Sequence, residues 1–189
     1  MNEIWLTSDF HFGHNKDFIY AARGFETVED MNKILLENFN SVVKPEDEVY
    51  ILGDLIFGNS IETIKYIEAL NGRLHIVRGN HDSDQRWQMY RNLPSVVELQ
   101  NAIYLKYKGH HFYLSHFPTM TSNLDYDKPL KQRILNICGH THTTNPWHDG
   151  SLIYHCEVDA HGGLPVTLDK ILQEFYNKAE EENIKYRLL

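Results

Sequence analysis

Five short blocks of this chain carry side chains that bind divalent cations: Asp9-Phe10-His11, Gly53-Asp54, Gly79-Asn80-His81-Asp82, His116, and Gly139-His140-Thr141-His142. Most of them follow an apolar run that reads as a buried strand. Strand ends in a packed sheet are fixed points, from which loops aim ligands into one pocket. Together the blocks offer enough donors for two metals, and the chemistry such a set serves is metal-assisted hydrolysis. Taken singly, the residues have plainer explanations. Asp9 and Asp54 would cap the turns after their strands, Asn80 and Asp82 would form a turn beside Gly79, and His116 would be a core histidine bonded to backbone. His140 and His142 alternate about Thr141 and would share one face of a strand. Only the ordered set points to a single site.

The elements that must position these blocks are legible in outline. Ile4-Trp5-Leu6, Val49-Tyr50-Ile51-Leu52 and Leu74-His75-Ile76-Val77 read as strands ending in the first three blocks. Between them, Met31, Ile34, Leu35, Phe39 and Val42 follow a helical period over Glu29 to Val43, closed by Pro45, and Ile61, Ile64, Ile67 and Leu70 mark a second helix ending near Asn71-Gly72. After about residue 94 the character changes to successive strands: 96–99, 102–105 and 111–114, the last pair turning at Lys108-Gly109, then 134–138 and Ile153 to Val158. Pro118 to Lys131 reads as a loop. Thr167 caps a final helix through about Asn183.

With 189 residues, 42% hydrophobic and 23% charged, the chain suits one globular domain over residues 1–189 with no room for a cap domain. A net charge of −8 excludes a broad electrostatic grip on nucleic acid, although bound metals would still attract a small phosphorylated substrate. Cys138 and Cys156 lie in strand-like runs and read as inert buried thiols. The start, Met1 to Trp5, enters a strand without a signal-peptide pattern, and no apolar stretch approaches the roughly 18 residues that span a bilayer, so a cytoplasmic protein is the expectation. Oligomeric state is not legible; the last segment, Ile184 to Leu189, reads equally as an edge strand or a frayed end.

In type and order the five blocks resemble the calcineurin-like metallophosphoesterase superfamily, whose pattern is Asp-x-His, Gly-Asp, Gly-Asn-His-Asp/Glu, a lone His, and Gly-His-x-His. The match runs from Asp9 to His142. The opening Ser8-Asp9-Phe10-His11-Phe12-Gly13-His14 is similar to that of small bacterial and phage phosphoesterases. The resemblance implies an α/β fold, a four-layer α/β/β/α sandwich of two mixed sheets flanked by helices, with a dinuclear metal site. Asp9, His11 and His142 would hold one ion, Asn80, His116 and His140 the other, and Asp54 would bridge both. Imidazole, carboxylate and amide donors without thiolate suit manganese first, or iron, nickel, cobalt or zinc. A water activated between the metals would attack phosphorus, and His81 would protonate the leaving oxygen.

Three further residues are candidates for substrate contact. His14 would touch phosphate or support His11, unless it is an ordinary turn histidine. Arg23 and Arg78 would grip phosphate through their planar forks, unless they are surface ion-pair residues. Asp159-Ala160-His161-Gly162-Gly163 would line the pocket or form a plain glycine-rich turn. The Arg-Gly pair that marks protein phosphatases of the superfamily is missing after Gly53-Asp54, and the third block ends in Asp82 instead of glutamate. The expected substrate is therefore a small or nucleotide-like phosphodiester, with a small phosphomonoester as the alternative. Residues 83–94 and 117–132 would set specificity, with Trp87, Tyr90, Phe117 and Tyr126 available to stack on a ring. A protein-binding scaffold on the same fold is the alternative of another class. Scaffolding relatives commonly lose the histidine aligned with His81, and it is present here.

Overall fold

Each apolar run in the first half leaves its strand through a loop into a helix, and helical crossovers produce parallel pairing. The computed structural model describes residues 2–121, 128–148 and 151–181. β1 (Ile4–Thr7), β2 (Glu48–Ile51), β3 (Arg73–Val77) and β4 (Val96–Gln100) are parallel neighbours, separated in sequence by α1 (Asp17–Tyr20), α2 (Val28–Val42), α3 (Ser60–Glu68) and α4 (Asp84–Arg91). The chain then crosses into a second sheet. β5 (Ala102–Tyr107) and β6 (His110–Ser115) are antiparallel across Lys108-Gly109, whose φ angles of 47° and 77° suit a tight two-residue hairpin. β7 (Ile134–Cys138) and β8 (Ile153–His155) continue that sheet in parallel. β9 (Val166–Thr167) returns to pair antiparallel with β1, and α5 (Leu168–Glu181) closes the fold. The sheet orders are β4-β3-β2-β1-β9 and β5-β6-β7-β8.

Alternation along the strands divides the core in two. Val49, Ile51, Leu74 and Ile76 pack outward against Met31, Leu35 and Phe39 of α2, Ile67 of α3 and Tyr90 of α4. Leu6, Tyr50, Leu52 and Val77 face Phe112, Leu114, Leu135 and Ile137 of the other sheet, and Ile171 and Phe175 of α5 join that second cluster. The result is the α/β sandwich of two mixed sheets flanked by helices. Thr7 stands opposite Ile51 and Ile51 opposite Ile76, so β1, β2 and β3 end level and their loops leave from one edge.

Several sequence expectations shift here. Residues 83–94 are not an open loop: Ser83 accepts the Arg86 N–H at 3.4 Å and starts α4, inside which Tyr90 is fully buried. The strand expected over 153–158 stops at His155, and Val158–His161 forms a 3-10 turn. β9 and α1 are too short to leave a periodic signal. Tyr126, the end of the helix expected through Asn183, and Ile184 to Leu189 lie outside the described residues. No helix among the described residues is long and apolar enough to cross a membrane.

Candidate metal centre

The five blocks meet at the carboxyl ends of β1, β2, β3, β6 and β7. Asp54 Oδ2 lies 3.6 Å from His11 Nε2, 3.5 Å from His116 Nε2 and 3.9 Å from His81 Nε2. Asp9 Oδ1 lies 3.8 Å from both His11 Nε2 and His142 Nε2. Asn80 Oδ1 is 2.8 Å and His140 Nδ1 3.2 Å from His116 Nε2. Two donor groups emerge, Asp9 with His11 and His142, and Asp9 with Asp54 and His116. The expectation that His140 and His142 ride a strand gives way: β7 ends at Cys138, and both histidines sit in the loop beyond it. Asp9, His11, Asp54, His140 and His142 all have left-handed backbone, with φ between 51° and 79°. Non-glycine residues adopt that region at a cost of roughly 1–2 kcal/mol each, so neighbouring contacts must hold this geometry in place.

Asp9 Oδ1 and His11 Nε2 are buried and have no hydrogen-bond partner among the described residues. An unsatisfied carboxylate oxygen and an unsatisfied imidazole nitrogen, aimed at one another across 3.8 Å, fit a cation that both can ligate. The opposite ring nitrogens are already engaged. His116 Nδ1 lies 2.8 Å from the Leu52 carbonyl and must donate to it, which leaves Nε2 bare. His142 Nδ1 donates to Asp159 Oδ2 at 2.8 Å, and His11 Nδ1 meets His14 Nδ1 at 3.2 Å. Fixing the far nitrogen in this way sets the tautomer that a metal requires.

The titration behaviour of His11, His140 and Asp9 agrees. Burial lowers the pKa of His11, and burial with the neighbouring His116 lowers that of His140, so both favour the neutral ring. Burial with the nearby His11 and His81 lowers His14 to about 4. Burial opposes ionisation of Asp9, but His11, His116 and His142 outweigh it and hold the carboxyl below its ordinary range.

The loops are tied together beneath the donors. Asp82 accepts the N–H groups of Asp54 (2.9 Å) and Gly79 (2.8 Å) and the Tyr90 hydroxyl (3.0 Å), locking the β2 and β3 loops to α4. Buried Glu157 accepts the Thr141 hydroxyl at 2.9 Å and the Thr143 N–H at 3.2 Å, anchoring the last block. Two motif glycines are required by contact: a Cβ on Gly79 would stand 2.1 Å from Asp54 Oδ1, and one on Gly139 would stand 2.3 Å from Asp9 Oδ2.

A family model for the calcineurin-like phosphoesterase superfamily domain matches residues 3–160. The chain belongs to that superfamily. The family is one of metal-dependent phosphoesterases, and the residues gathered here are candidates for holding the metal. Among curated relatives, an uncharacterized protein of Methanocaldococcus jannaschii is 36% identical over 147 residues, covering 77% of this chain and 72% of its own. The gene 66 protein of Mycobacterium phage L5 is 28% identical over 207 residues, covering 97% and 99%. In fold, the chain is similar to a crystal structure of a protein of unknown function from Aquifex aeolicus, with a TM-score of 0.67, 24% identity, and coverage of 92% and 100%.

Not every expected substrate contact faces the centre. Arg23 is a correction. Its Nε and Nη2 donate to Asp159 at 2.8 and 2.9 Å, Nη2 also reaches the Asp9 carbonyl at 2.7 Å, and Nη1 binds the Phe10 carbonyl and the Met31 sulfur. All five N–H groups are spent inside the protein, and none is left to grip a phosphate. Arg78 donates to the Asp82 carbonyl and to Asp84 and lies over Trp87. His14 is buried, stacked on Phe57 at 3.7 Å, and touches His11. Tyr90 is buried and cannot stack on a ligand, whereas Phe117 is 49% exposed beside His116 and His140. Sequence reading missed Asp159, Asp82, Arg86 and Glu157 as supports. Asp82 stood in the third block but read as a turn former, Asp159 gave a weak signal beside its glycine pair, and Arg86 and Glu157 gave none.

Proposed function

We infer that the protein is a phosphoesterase with a two-cation centre that hydrolyses small phosphodiesters, nucleotide-like ones included, with His81 as general acid. The observation that carries this reading is the position of Asp54 Oδ2, 3.6 Å from His11 Nε2 and 3.5 Å from His116 Nε2. One cation would be held by Asp9, His11 and His142, the other by Asn80, His116 and His140, and Asp54 would serve both. Manganese is the first candidate, with iron, nickel, cobalt or zinc suited to the same nitrogen and oxygen donors. When bound, such a pair supplies Lewis acidity to the phosphoryl group and lowers the pKa of water. Asp9 and Asp54 offset roughly two of about four positive charges, so an anion is still attracted.

The exposure of His81 supports its assignment as the proton donor. Its backbone N–H donates to Asp54 Oδ1 at 2.9 Å, which fixes the residue, while its side chain is 42% exposed with Nε2 3.9 Å from Asp54 Oδ2. Arg86 holds the same loop by donating to the His81 carbonyl at 2.6 Å and to Ser60 Oγ at 3.0 Å. From there the imidazole can reach a leaving oxygen. With Arg23 spent internally, the charge of a substrate is met mainly by the centre itself. A singly charged diester needs no further cation beside the centre.

Hydrolysis of bis-(p-nitrophenyl) phosphate and p-nitrophenyl phosphate, with added manganese and with chelator, tests this directly. Manganese-dependent turnover of the diester, lost with chelator, is the expected result. Preference for the monoester would assign a phosphomonoesterase, and bound metal without turnover of either would favour a protein-binding scaffold.

A further inference from the structure

A groove of about 400 Å³ opens beside His116, lined by Arg78, Ala102, Tyr113, His116, Phe117 and Thr119. That lies at the lower end of the about 300–1,000 Å³ of ligand pockets. His116 lines this groove and also lies 3.5 Å from Asp54, so the groove adjoins the proposed centre. Phe117 forms one wall. Its ring meets His116 at 5.0 Å and His140 at 4.6 Å, both edge-to-face, and 49% of the residue is open to solvent. Arg78 lines the same groove. Its Nε is fixed on the Asp82 carbonyl, its Nη2 on Asp84, and its guanidinium lies 5.6 Å over the Trp87 ring, so the group is held still. Its Nη1 amino group is uncommitted among the described residues.

A half-exposed aromatic ring and an immobilised donor, lining one groove that adjoins the centre, form a site for a planar ring that carries hydrogen-bond acceptors. We propose that this groove is a nucleobase subsite: the base of a nucleotidyl ester stacks on Phe117 while Arg78 Nη1 donates to its ring nitrogen or carbonyl. The proposal rests on the phosphoesterase reading above and narrows its substrate class. Stacking would tolerate any base, because each has a π face, whereas an arginine donor requires an acceptor.

The test compares adenosine 5′-monophosphate with ribose 5-phosphate as ligands of the manganese-loaded chain, measured by titration calorimetry. The two share sugar and phosphate and differ in the base. The nucleotide should bind about 5- to 150-fold tighter. Phe117→Ala should erase most of that ratio, and Phe117→Trp should keep it. A ratio near one in the unmodified chain, or one that Phe117→Ala leaves unchanged, overturns the subsite while manganese-dependent diester hydrolysis leaves the phosphoesterase reading standing. Absence of both ribose 5-phosphate binding and diester hydrolysis overturns that reading, and the subsite with it.

Discussion

Gly79→Ala isolates the contact on which the centre's geometry depends. Gly79 lacks the positive φ seen at other glycines, so alanine there brings no backbone strain. The new methyl would stand 2.1 Å from Asp54 Oδ1 and 2.4 Å from its backbone nitrogen, where ordinary contact begins at 3.4 Å. Asp54 would have to retreat by about 1 Å or more, and a displacement of that size costs on the order of 10²-fold in rate. The same retreat loosens the hydrogen bonds from the Asp54 N–H to Asp82 and from the His81 N–H to Asp54. Overpacking adds about 1–3 kcal/mol of destabilisation. Gly109→Ala is the control: nothing lies within 4 Å of its Cβ, and its φ of 77° confines the effect to local strain. Calorimetric titration with manganese, diester turnover at saturating metal, and thermal melts separate the effects. We expect Gly79→Ala to weaken metal binding and to lower turnover roughly 100-fold while remaining folded, and Gly109→Ala to shift only the melt. Unchanged manganese affinity and turnover in Gly79→Ala would refute the claim that the β3 loop sets the position of Asp54.

Three other perturbations probe different links. His81→Ala should retain manganese affinity and lower turnover more for alkoxide than for nitrophenolate leaving groups; equal losses across a leaving-group series would remove its role as acid. Asp159→Ala withdraws the acceptor that holds the His142 Nδ1 proton at 2.8 Å, so manganese affinity should fall about 10- to 100-fold, and nitrogen NMR of His142 should show a changed tautomer balance. An unchanged His142 spectrum would sink that assignment. Asp47 tests acid stability away from the centre. Burial opposes its ionisation, but the backbone N–H groups of Lys44 and Glu3 and the Trp5 indole outweigh it and depress the pKa. A depressed carboxyl stabilises the fold above its unfolded value of about 3.9 and loses that contribution as pH falls through the folded pKa. Asp47→Asn should therefore be less stable at neutral pH and lose less stability below about pH 4 in denaturation melts; parallel curves would count against it.

The candidate metal-binding residues were legible because few side chain types ligate divalent ions, and here they cluster at the ends of apolar runs whose period marks strands. Asp9, His11, Asp54 and His116 needed no more than that to be named. Elements without a periodic apolar face escaped: α4 buries only Tyr90, and β9 has two residues. The sheet orders and the level strand ends that bring five distant loops to one edge came from tertiary packing.

What the amino-acid order determined by itself is the inventory of donors and the superfamily they belong to. Tertiary structure alone decided how each donor is aimed. Arg23 and Asp159 are 136 positions apart, yet their ion pair orients His142 and removes Arg23 from the substrate's reach. Gly79 reads as a turn residue until its Cα is seen against the Asp54 carboxylate. Ligand identity is a property of single side chains, whereas tautomer, backbone hand and ring orientation are set by partners that local sequence does not contain.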